Sequence, residues 1–261
     1  VLCIRFDRPE RLNGMTVALK RDLLEQLTQA QMAPAVRIVL FTGSGRAFSA
    51  GDDLHGYTDR GAAGDARMPA IDPGHDSAIG TYAALRTISQ RLNRAVRELD
   101  KLTIAAVNGL AIQTGFSLAL ACDFRIAARS ARLGSATLRF ALLPDEGGHY
   151  LLVQHLGVAG AMDFLMRRRI VDAERALALG LVHEVVDDAQ LETAAGDLAR
   201  EFAAGPQTAM RLLKRSVYAA ADAHLAAAFD DIAARTAVAD HHPDAREGVA
   251  AFREKRPPRF D

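Results

Sequence analysis

The stretch from Ile104 to Tyr150 constrains the fold of this chain more than any other. Ile104 to Val107 is a short apolar run, which suits a buried strand, and Asn108-Gly109 ends it. Phe116 to Cys122 is apolar almost all round, which is typical of a helix buried in a core. Gln113-Thr114-Gly115 leads directly into that helix. Because the free N–H groups of a helix's first turn favour negative charge, we expect a polarised carbonyl oxygen or an oxyanion to bind there.

The rest of the chain alternates between strand-like and helix-like patterns. Val1 to Phe6 and Arg37 to Thr42 are short apolar runs typical of strands. Between them, Thr16 to Gln29 carries leucines spaced for one face of a helix, with Thr16 as its predicted cap. This alternation predicts repeated β–α units that cover a sheet, in one continuous α/β body.

Composition narrows the class of protein and its partners. Of the 261 residues, 49% are hydrophobic, which is ample for a sizeable core. The 32 Lys and Arg residues balance 32 Asp and Glu residues, so we expect no nucleic acid and no membrane as partner. No stretch approaches the ~20 apolar residues of a membrane span and no signal peptide opens the chain, which predicts a cytoplasmic protein. Cys3 and Cys122 show no metal-ligand spacing and are predicted to be buried, reduced thiols.

Motifs that follow one another along the chain carry a family resemblance. The central pattern A-A-V-N-G-x-A-x-x-x-G-x-x-L-A-L-A-C-D-x-R-I-A resembles the signature of the crotonase superfamily, the enoyl-CoA hydratases and isomerases. The other segments that resemble its motifs are Arg8 to Asn13, Gly45 to Leu54, Gly180 to Val182, and Glu247-Gly248 through Lys255-Arg256. The resemblance covers the whole chain. It implies a spiral of ββα units over residues 1–186, followed by a helical oligomerisation region at residues 187–261 that forms homotrimers or hexamers.

The resemblance also implies a binding site for an acyl-CoA thioester. The backbone N–H groups of Asp52 and Thr114 would donate to the thioester oxygen and stabilise an enolate. The residues that would hold the coenzyme A part are Arg11, Gly14, Ala50, Asp53 and Leu54. Coenzyme A is then part of the substrate, and no separate cofactor or metal is expected. The alternative is that Gly51 and Asp53 only make a tight turn and a helix cap.

Two positions depart from the pattern of the family's hydratases, which activate one water with two glutamates. In G-x-E-L-A the glutamate position is Ser117 here, and in F-G-x-P-E it is Thr137. Serine and threonine hydroxyls are hardly ionised at neutral pH and make poor general bases. Hydration by the two-glutamate route is therefore not expected.

One carboxylate does occupy a family catalytic position. Leu143-Pro144-Asp145-Glu146-Gly147-Gly148 resembles P-D-x-G-G, which dienoyl-CoA isomerases, epoxyphenylacetyl-CoA isomerases, chlorobenzoyl-CoA dehalogenase and naphthoyl-CoA synthases share. In those enzymes the aspartate acts as a proton shuttle or a nucleophile, and it needs an apolar site to gain basicity. The alternative is that Asp145 caps a helix beginning at Glu146. Glu146 and His149 are secondary candidates, predicted to be structural or to face a subunit contact.

The sequence thus predicts an isomerase-like acyl-CoA enzyme in which Asp145 moves the proton. Two alternatives stay open: a non-catalytic acyl-CoA-binding paralogue, and a hydratase or hydrolase that acts through a different carboxylate. The irregular stretch from Gly56 to Gly80 resembles the family's variable acyl-pocket wall, where Tyr57, Met68 and Ile71 could line an acyl tail. Asp123 and Arg125 are predicted to form a structural pair at a strand edge rather than a catalytic one.

The C-terminal helices carry more apolar surface than a thin outer layer can bury within one subunit. The apolar side chains concerned are Leu212, Leu213, Val217, Leu225, Phe229 and Ile232. Because leaving such a face in water is unfavourable, we expect it to pack against neighbouring subunits of a trimer or a dimer of trimers. The basic run from Phe252 to Phe260 would then lie near a coenzyme A phosphate, unless its charges are merely solvated.

Overall fold

The computed structural model describes residues 1–53 and 77–260, and within these ranges nine strands form two sheets. The strands are β1 (Leu2–Phe6), β2 (Ile38–Gly43), β3 (Ala47–Ser49), β4 (Leu102–Val107), β5 (Leu110–Ile112), β6 (Phe124–Ala128), β7 (Arg132–Gly134), β8 (Ile170–Asp172) and β9 (Glu184–Val186). The first sheet has the order β1-β2-β4-β6-β9 and the second the order β3-β5-β7-β8.

From β2 to β7, successive strands of the chain alternate between the two sheets. The five strands of the first sheet are all parallel, and in the second only the β7–β8 pair is antiparallel. Each parallel pairing needs a long crossover connection. Helices supply these connections between the successive strand pairs β2–β3, β4–β5 and β6–β7. The predicted α/β spiral of ββα units is therefore confirmed.

Ten α-helices within the described ranges surround the sheets. They are α1 (Val17–Met32), α2 (Ala78–Ala84), α3 (Gln90–Glu98), α4 (Thr114–Ala121), α5 (Gly148–Met166), α6 (Ala173–Ala178), α7 (Leu191–Ala203), α8 (Gln207–Ala220), α9 (Leu225–Asp240) and α10 (Pro243–Glu254). The predicted cap of α1 is confirmed, because Thr16 Oγ1 accepts a hydrogen bond from the Leu19 N–H at 3.2 Å. Residues Ala78 to Gly80, predicted to be irregular, already belong to α2, whose cap is Ser77.

Helix α4 lies at the centre of the fold, with every residue buried. Its Phe116 stacks on Phe164 of α5 with ring centroids 5.8 Å apart. No polar side of α4 faces water, which is why its sequence is apolar almost all round. The surrounding core therefore fixes the position of α4 and of the backbone N–H groups in its first turn.

The C-terminal helices differ in how they use their apolar residues. Helix α7 buries Leu191, Ala195 and Ala199 in a cluster with Ile38 and Ile104 of the first sheet. Helices α8 and α9 instead leave large apolar side chains exposed, at 64% for Leu213, 58% for Val217, 71% for Leu225, 62% for Phe229 and 45% for Ile232. The predicted subunit contact would cover this exposed apolar surface. The oligomeric state itself stays a prediction.

Helix α8 is joined to the spiral through Asp123. The carboxylate of Asp123 accepts hydrogen bonds from Thr103, Lys214 and Tyr218, and Arg125 donates to backbone carbonyls such as that of Leu181. Both residues are structural as predicted, but each has its own partners. The prediction for Cys3 was wrong, since it is exposed on the edge strand β1, whereas Cys122 is buried. None of the helices in the described ranges is long and apolar enough to cross a bilayer.

Candidate active site

The start of α4 is held in a strained and tightly packed conformation. Gln113, the residue before the helix, has φ 56° and ψ −121°, a region that favours glycine. A side-chain carbon on Gly115 would lie 2.2 Å from the carbonyl oxygen of Ser49, so only glycine allows α4 to approach β3 this closely. The first turn of α4 is therefore fixed directly beside the end of β3.

The two predicted donors of the oxyanion site lie next to each other. Thr114 Oγ1 donates a hydrogen bond to Asp52 Oδ1 at 2.9 Å, and the ammonium of Lys20 lies 2.8 Å from the same oxygen. Lys20 is only 2% exposed and also donates to Ser89 Oγ at 2.9 Å. Gly51, with φ 101°, passes so near Gln113 that a side-chain carbon on it would lie 2.7 Å from Gln113 Cβ. Sequence reasoning missed Lys20, whose position in a helix of mixed composition gave no signal.

The structure also gathers the residues predicted to hold coenzyme A. The Ala50 N–H donates to the Leu12 carbonyl at 2.9 Å, and the Asp53 N–H donates to the Met15 carbonyl at 3.0 Å. Arg8 joins the two loops, because its guanidinium donates to the Gly14 carbonyl at 2.6 Å and to Asp53 Oδ2 at 2.9 Å.

Arg11 belongs to the same N-terminal loop, where its carbonyl accepts from the Gly14 N–H at 2.9 Å. Asn13 fixes that loop from within, fully buried and bonded through its side chain to the backbone of Arg8, Ser44 and Ala47. Leu54, Tyr57, Met68 and Ile71 lie outside the described residues.

The two positions where hydratases carry glutamates hold buried hydroxyls. Ser117 and Thr137 are 2% and 7% exposed. Thr137 Oγ1 lies 3.2 Å from Ser135 Oγ, which in turn donates to Gln113 Oε1 at 3.3 Å. A chain of neutral polar groups thus runs to the start of α4, and neither position supplies a base at neutral pH.

Asp145 lies beside this site without capping a helix. Helix α5 begins at Gly148, and its cap residue is Gly147, with φ 99° and no side-chain cap. The alternative interpretation of Asp145 as the cap of a helix starting at Glu146 was therefore wrong. The side chain of Asp145 is half-buried, and its carbonyl accepts a hydrogen bond from Gln90 Nε2 at 2.9 Å. A side-chain carbon on Gly148 would lie 2.4 Å from Ser117 Oγ, so this segment packs directly on α4.

Glu146 is the unexpected group of the site. It is only 1% exposed, and its backbone carbonyl accepts from Asn93 Nδ2 at 2.9 Å. Within residues 1–53 and 77–260, neither of its carboxyl oxygens has a hydrogen-bond partner of normal geometry.

Burial raises the pKa of Glu146 to about 8, and the neighbouring Asp145 adds to the shift. Its own backbone amide and the Ser117 hydroxyl lie close enough to oppose that shift without forming good hydrogen bonds. No local signal in the sequence identifies Glu146 as buried, because the apolar residues before Pro144, such as Phe140 and Leu143, are themselves exposed. His149, the other secondary candidate, is exposed and contacts the Pro144 carbonyl at 3.1 Å.

A cavity of about 790 Å³ that Glu146 helps to line lies between α3, the N-terminal end of α5 and helices α8 and α9. Its lining includes Gln90, Asn93, Arg97, Glu146, Tyr150 and Tyr218. Within the described part of the chain, no three His, Cys, Asp or Glu side chains come together as a metal site would require.

Several known proteins are similar to this chain in both sequence and fold. The sequence model for enoyl-CoA hydratase/isomerase matches residues 1–261. The 1,2-epoxyphenylacetyl-CoA isomerase of Escherichia coli (strain K12) is 36% identical over 260 residues, which cover 100% of this chain and 94% of that protein. The mitochondrial methylglutaconyl-CoA hydratase of Rattus norvegicus is 34% identical over 193 residues, or 71% of this chain and 59% of that protein.

Among solved structures, the enoyl-CoA hydratase from Bacillus anthracis matches with a TM-score of 0.88 and 31% identity, over 99% of this chain and 94% of that one. The sequence match and the fold match both extend over essentially the whole chain. The chain belongs to the enoyl-CoA hydratase/isomerase family, within the crotonase superfamily.

Proposed function

We propose that this acyl-CoA enzyme is an isomerase, which stabilises a thioester enolate at the start of α4 and moves a proton with Asp145. One observation carries the proposal: both hydratase glutamate positions are hydroxyls, Ser117 and Thr137, while Asp145 lies on a segment packed against Ser117. An isomerase needs one group that takes a proton and returns it, whereas hydration needs groups that hold and activate a water.

The contacts between Asp52 and Thr114 support the electrostatic half of this mechanism. In the proposal, the thioester oxygen accepts hydrogen bonds from the backbone N–H groups of these two residues. The Asp52 carboxylate, bonded to Thr114 Oγ1 and Lys20, keeps the two loops in register. The positive end of the α4 dipole adds to the stabilisation of the oxyanion. One donor of such a site typically contributes about 2.7–4 kcal/mol to lowering the barrier.

Asp145 performs the proton transfer in this scheme. Its carboxylate takes a proton from the carbon next to the thioester, so that a C–H bond breaks, an O–H bond forms and the electron pair moves onto the thioester oxygen. The same carboxyl group then returns a proton to another carbon of the conjugated system, and the electron pair reforms the C=O bond. A half-buried carboxylate that follows the buried Pro144 suits a base that bulk water does not fully solvate.

Two other functions compete with this one. The rat relative is a hydratase, which favours hydration through a carboxylate other than the two missing glutamates. The absence of those glutamates also favours a protein that binds acyl-CoA without turnover. The similarity to the 1,2-epoxyphenylacetyl-CoA isomerase of Escherichia coli supports isomerisation and makes aryl-CoA thioesters worth testing.

The experiment is to assay 3-hexenoyl-CoA and phenyl-substituted CoA thioesters with the wild-type chain and with Asp145→Asn. We expect the variant to lose at least 100-fold in kcat, because general acid–base catalysis contributes about 10²–10⁴-fold. Its affinity for the CoA ester should change less than threefold.

The matched control is Asp22→Asn, an exposed carboxylate on α1, which should keep wild-type turnover. Wild-type turnover in Asp145→Asn would refute the role of Asp145. Binding without turnover by the wild-type chain would favour the non-catalytic alternative, and formation of a hydroxyacyl-CoA would favour the hydratase.

A further inference from the structure

Lys20 is a charged residue at a position where its helix buries an apolar face. The buried residues of α1 are Lys20, Leu23, Leu27 and Ala30, spaced along one side of the helix. The side chain of Lys20 is only 3% exposed. Burying an ammonium group is unfavourable unless it is paired and hydrogen-bonded. The position of Lys20 therefore depends on the polar groups that its ammonium contacts.

Two other segments of the chain supply those polar groups. The Lys20 ammonium lies 2.8 Å from Asp52 Oδ1, in the loop after β3, and donates to Ser89 Oγ at 2.9 Å. Ser89 ends a π-helical turn, Leu85–Ser89, which joins α2 to α3. Because serine is neutral, the negative charge in these contacts is that of Asp52.

The Asp52 carboxylate lies at the proposed oxyanion site. Asp52 Oδ1 accepts from the Thr114 hydroxyl at 2.9 Å, and the backbone N–H groups of these same two residues are the proposed donors to the thioester oxygen. A carboxylate this close would repel the negative charge that develops on the enolate oxygen. It would also oppose the positive end of the α4 dipole. An acid at this position therefore requires a cation beside it if the site is to stabilise an anion.

Resting on the oxyanion site proposed above, we propose that Lys20 is a positioning residue that keeps this site electrostatically neutral. Its ammonium cancels the charge of Asp52, so the carboxylate holds Thr114 in place without opposing the enolate. Lys20 acts through Asp52 rather than on the substrate, because its side chain is enclosed between α1, Ser89 and Asp52.

The alternative is that Lys20 only joins α1 to the neighbouring segments. The two roles differ in their dependence on charge. If Lys20 only joins segments, removing the carboxylate of Asp52 as well cannot restore what the loss of Lys20 removed. If Lys20 cancels a charge, removing that charge compensates for the loss of the ammonium. A double variant therefore separates the two roles.

The experiment compares the wild-type chain with Lys20→Met, Asp52→Asn and the double variant. Asparagine keeps the backbone N–H and an oxygen that can accept from Thr114. For turnover of 3-hexenoyl-CoA at pH 7, we expect kcat of Lys20→Met to fall about 30-fold, because an uncancelled charge beside the oxyanion raises the barrier. The dissociation constant of hexanoyl-CoA should change less than about threefold, since binding does not develop that charge. The double variant should regain about tenfold of the lost kcat.

The matched control is Lys101→Met. Lys101 is 3% exposed, and its ammonium donates to the backbone carbonyls of Ala33 and Val36, beyond the C-terminal end of α1. The same substitution there removes a buried ammonium away from the site and should leave kcat at the wild-type value. Circular dichroism checks that each variant is folded. Wild-type kcat in Lys20→Met, or a double variant as slow as Lys20→Met, would overturn the proposal.

Infrared spectra of bound hexanoyl-CoA carrying carbon-13 at the thioester carbonyl need no turnover. A negative charge beside the oxygen opposes polarisation of the C=O bond and raises its stretching frequency, and a positive charge lowers it. We expect a higher frequency than wild type in Lys20→Met, a lower one in Asp52→Asn and the wild-type value in the double variant. Should Lys20→Met fail to fold, Asp52→Asn still tests the proposal.

The same spectra separate this proposal from the proposed function. Frequencies ordered by charge, together with no isomerase turnover, would refute the isomerase and support the role of Lys20. A wild-type carbonyl with the frequency of the free thioester would refute the oxyanion site, and the role of Lys20 with it. A lowered wild-type frequency that stays the same in Lys20→Met and Asp52→Asn would overturn the role of Lys20 alone.

Discussion

Two buried carboxylates, Asp123 and Glu146, have opposite surroundings. The side chain of Asp123 is 7% exposed and accepts hydrogen bonds from the Thr103 N–H at 2.7 Å and the Thr103 hydroxyl at 2.9 Å. Lys214 and Tyr218 donate to it as well, at 2.8 and 2.6 Å. Glu146 is buried more deeply and has no such donors among the residues described.

The difference teaches how to separate a structural carboxylate from a functional one. Asp123 accepts four hydrogen bonds, one of them from the Lys214 ammonium, so it fixes α8 against the spiral at low cost. Burial raises the pKa of Tyr218, which keeps its phenol protonated and able to donate to Asp123. The Glu146 carboxyl group has no hydrogen-bond partner in the part of the chain that the structure describes and lies beside the candidate site, which favours a proton-carrying role.

The largest expected effect comes from breaking the Asp123 cluster with Lys214→Met. This change leaves Asp123 buried without its cation, and removing one partner of a buried pair costs about 3–5 kcal/mol. Urea unfolding at pH 7 should show a free energy of unfolding lower by that amount. The matched control is Arg5→Met, which breaks the exposed pair with Glu192 and should cost at most about 1 kcal/mol. Equal losses in the two variants would show that burial of Asp123 does not matter.

Glu146→Gln should change stability in the opposite direction and in a pH-dependent way. The pKa of Glu146 is about 8 in the folded chain, above its ordinary value, so the folded state binds the extra proton. Wild-type stability should therefore fall by up to roughly 1.4 kcal/mol per pH unit from about pH 4.5 to about pH 8, and then level off.

The glutamine variant lacks this slope because it cannot ionise. We expect its unfolding free energy, measured by urea titration at pH 5, 6.5 and 8, to gain on the wild type as the pH rises. Glu98→Gln should follow the wild-type curve at every pH. Parallel curves for Glu146→Gln and the wild type would contradict the buried, protonated state of Glu146.

Tyr218→Phe should have a smaller effect than either change. It removes one of the four hydrogen bonds to Asp123 while keeping the ring that stacks on Arg97 at 4.0 Å. Because a hydrogen bond to a charged group contributes about 1.5–3 kcal/mol, we expect a loss of about 2 kcal/mol. Thermal unfolding at pH 7 measures it, with Tyr82→Phe as the control, since the Tyr82 hydroxyl accepts from the exposed Arg86. A loss above that of Lys214→Met would mean that the phenol, not the ammonium, stabilises Asp123.

The smallest effect is expected at the surface. Glu98→Gln removes the exposed ion pair with Arg94, which spans one helical turn of α3, and should change stability by less than about 0.5 kcal/mol. The same urea titration at low and high salt checks it. A loss above 1 kcal/mol would indicate that the charges in the cavity act together, which would weaken the comparison between Asp123 and Glu146.

The sequence predicted the fold far better than the site. Short apolar runs such as Arg37 to Thr42 and the amphipathic pattern before Gln29 depend on local spacing, so the strands and helices were found within a few residues. The proximity of Asp52 and Thr114 followed from the family resemblance rather than from spacing. Lys20 and Glu146 were missed as site groups because burial depends on which distant segments cover a residue, and no local pattern encodes that.

The alternation of strands between two sheets has a consequence for the order in which the parts of the candidate site form during folding. Asp52 follows the first ββ unit, Thr114 the second, and Asp145 the third, so the bond between Thr114 and Asp52 joins residues 62 apart in the sequence. Contacts of such long range form late, because the loop between them must close first. A nascent chain ending before Pro144 would hold both predicted oxyanion donors but neither Asp145 nor Glu146. Association with a CoA ester should thus precede proton exchange as the chain lengthens.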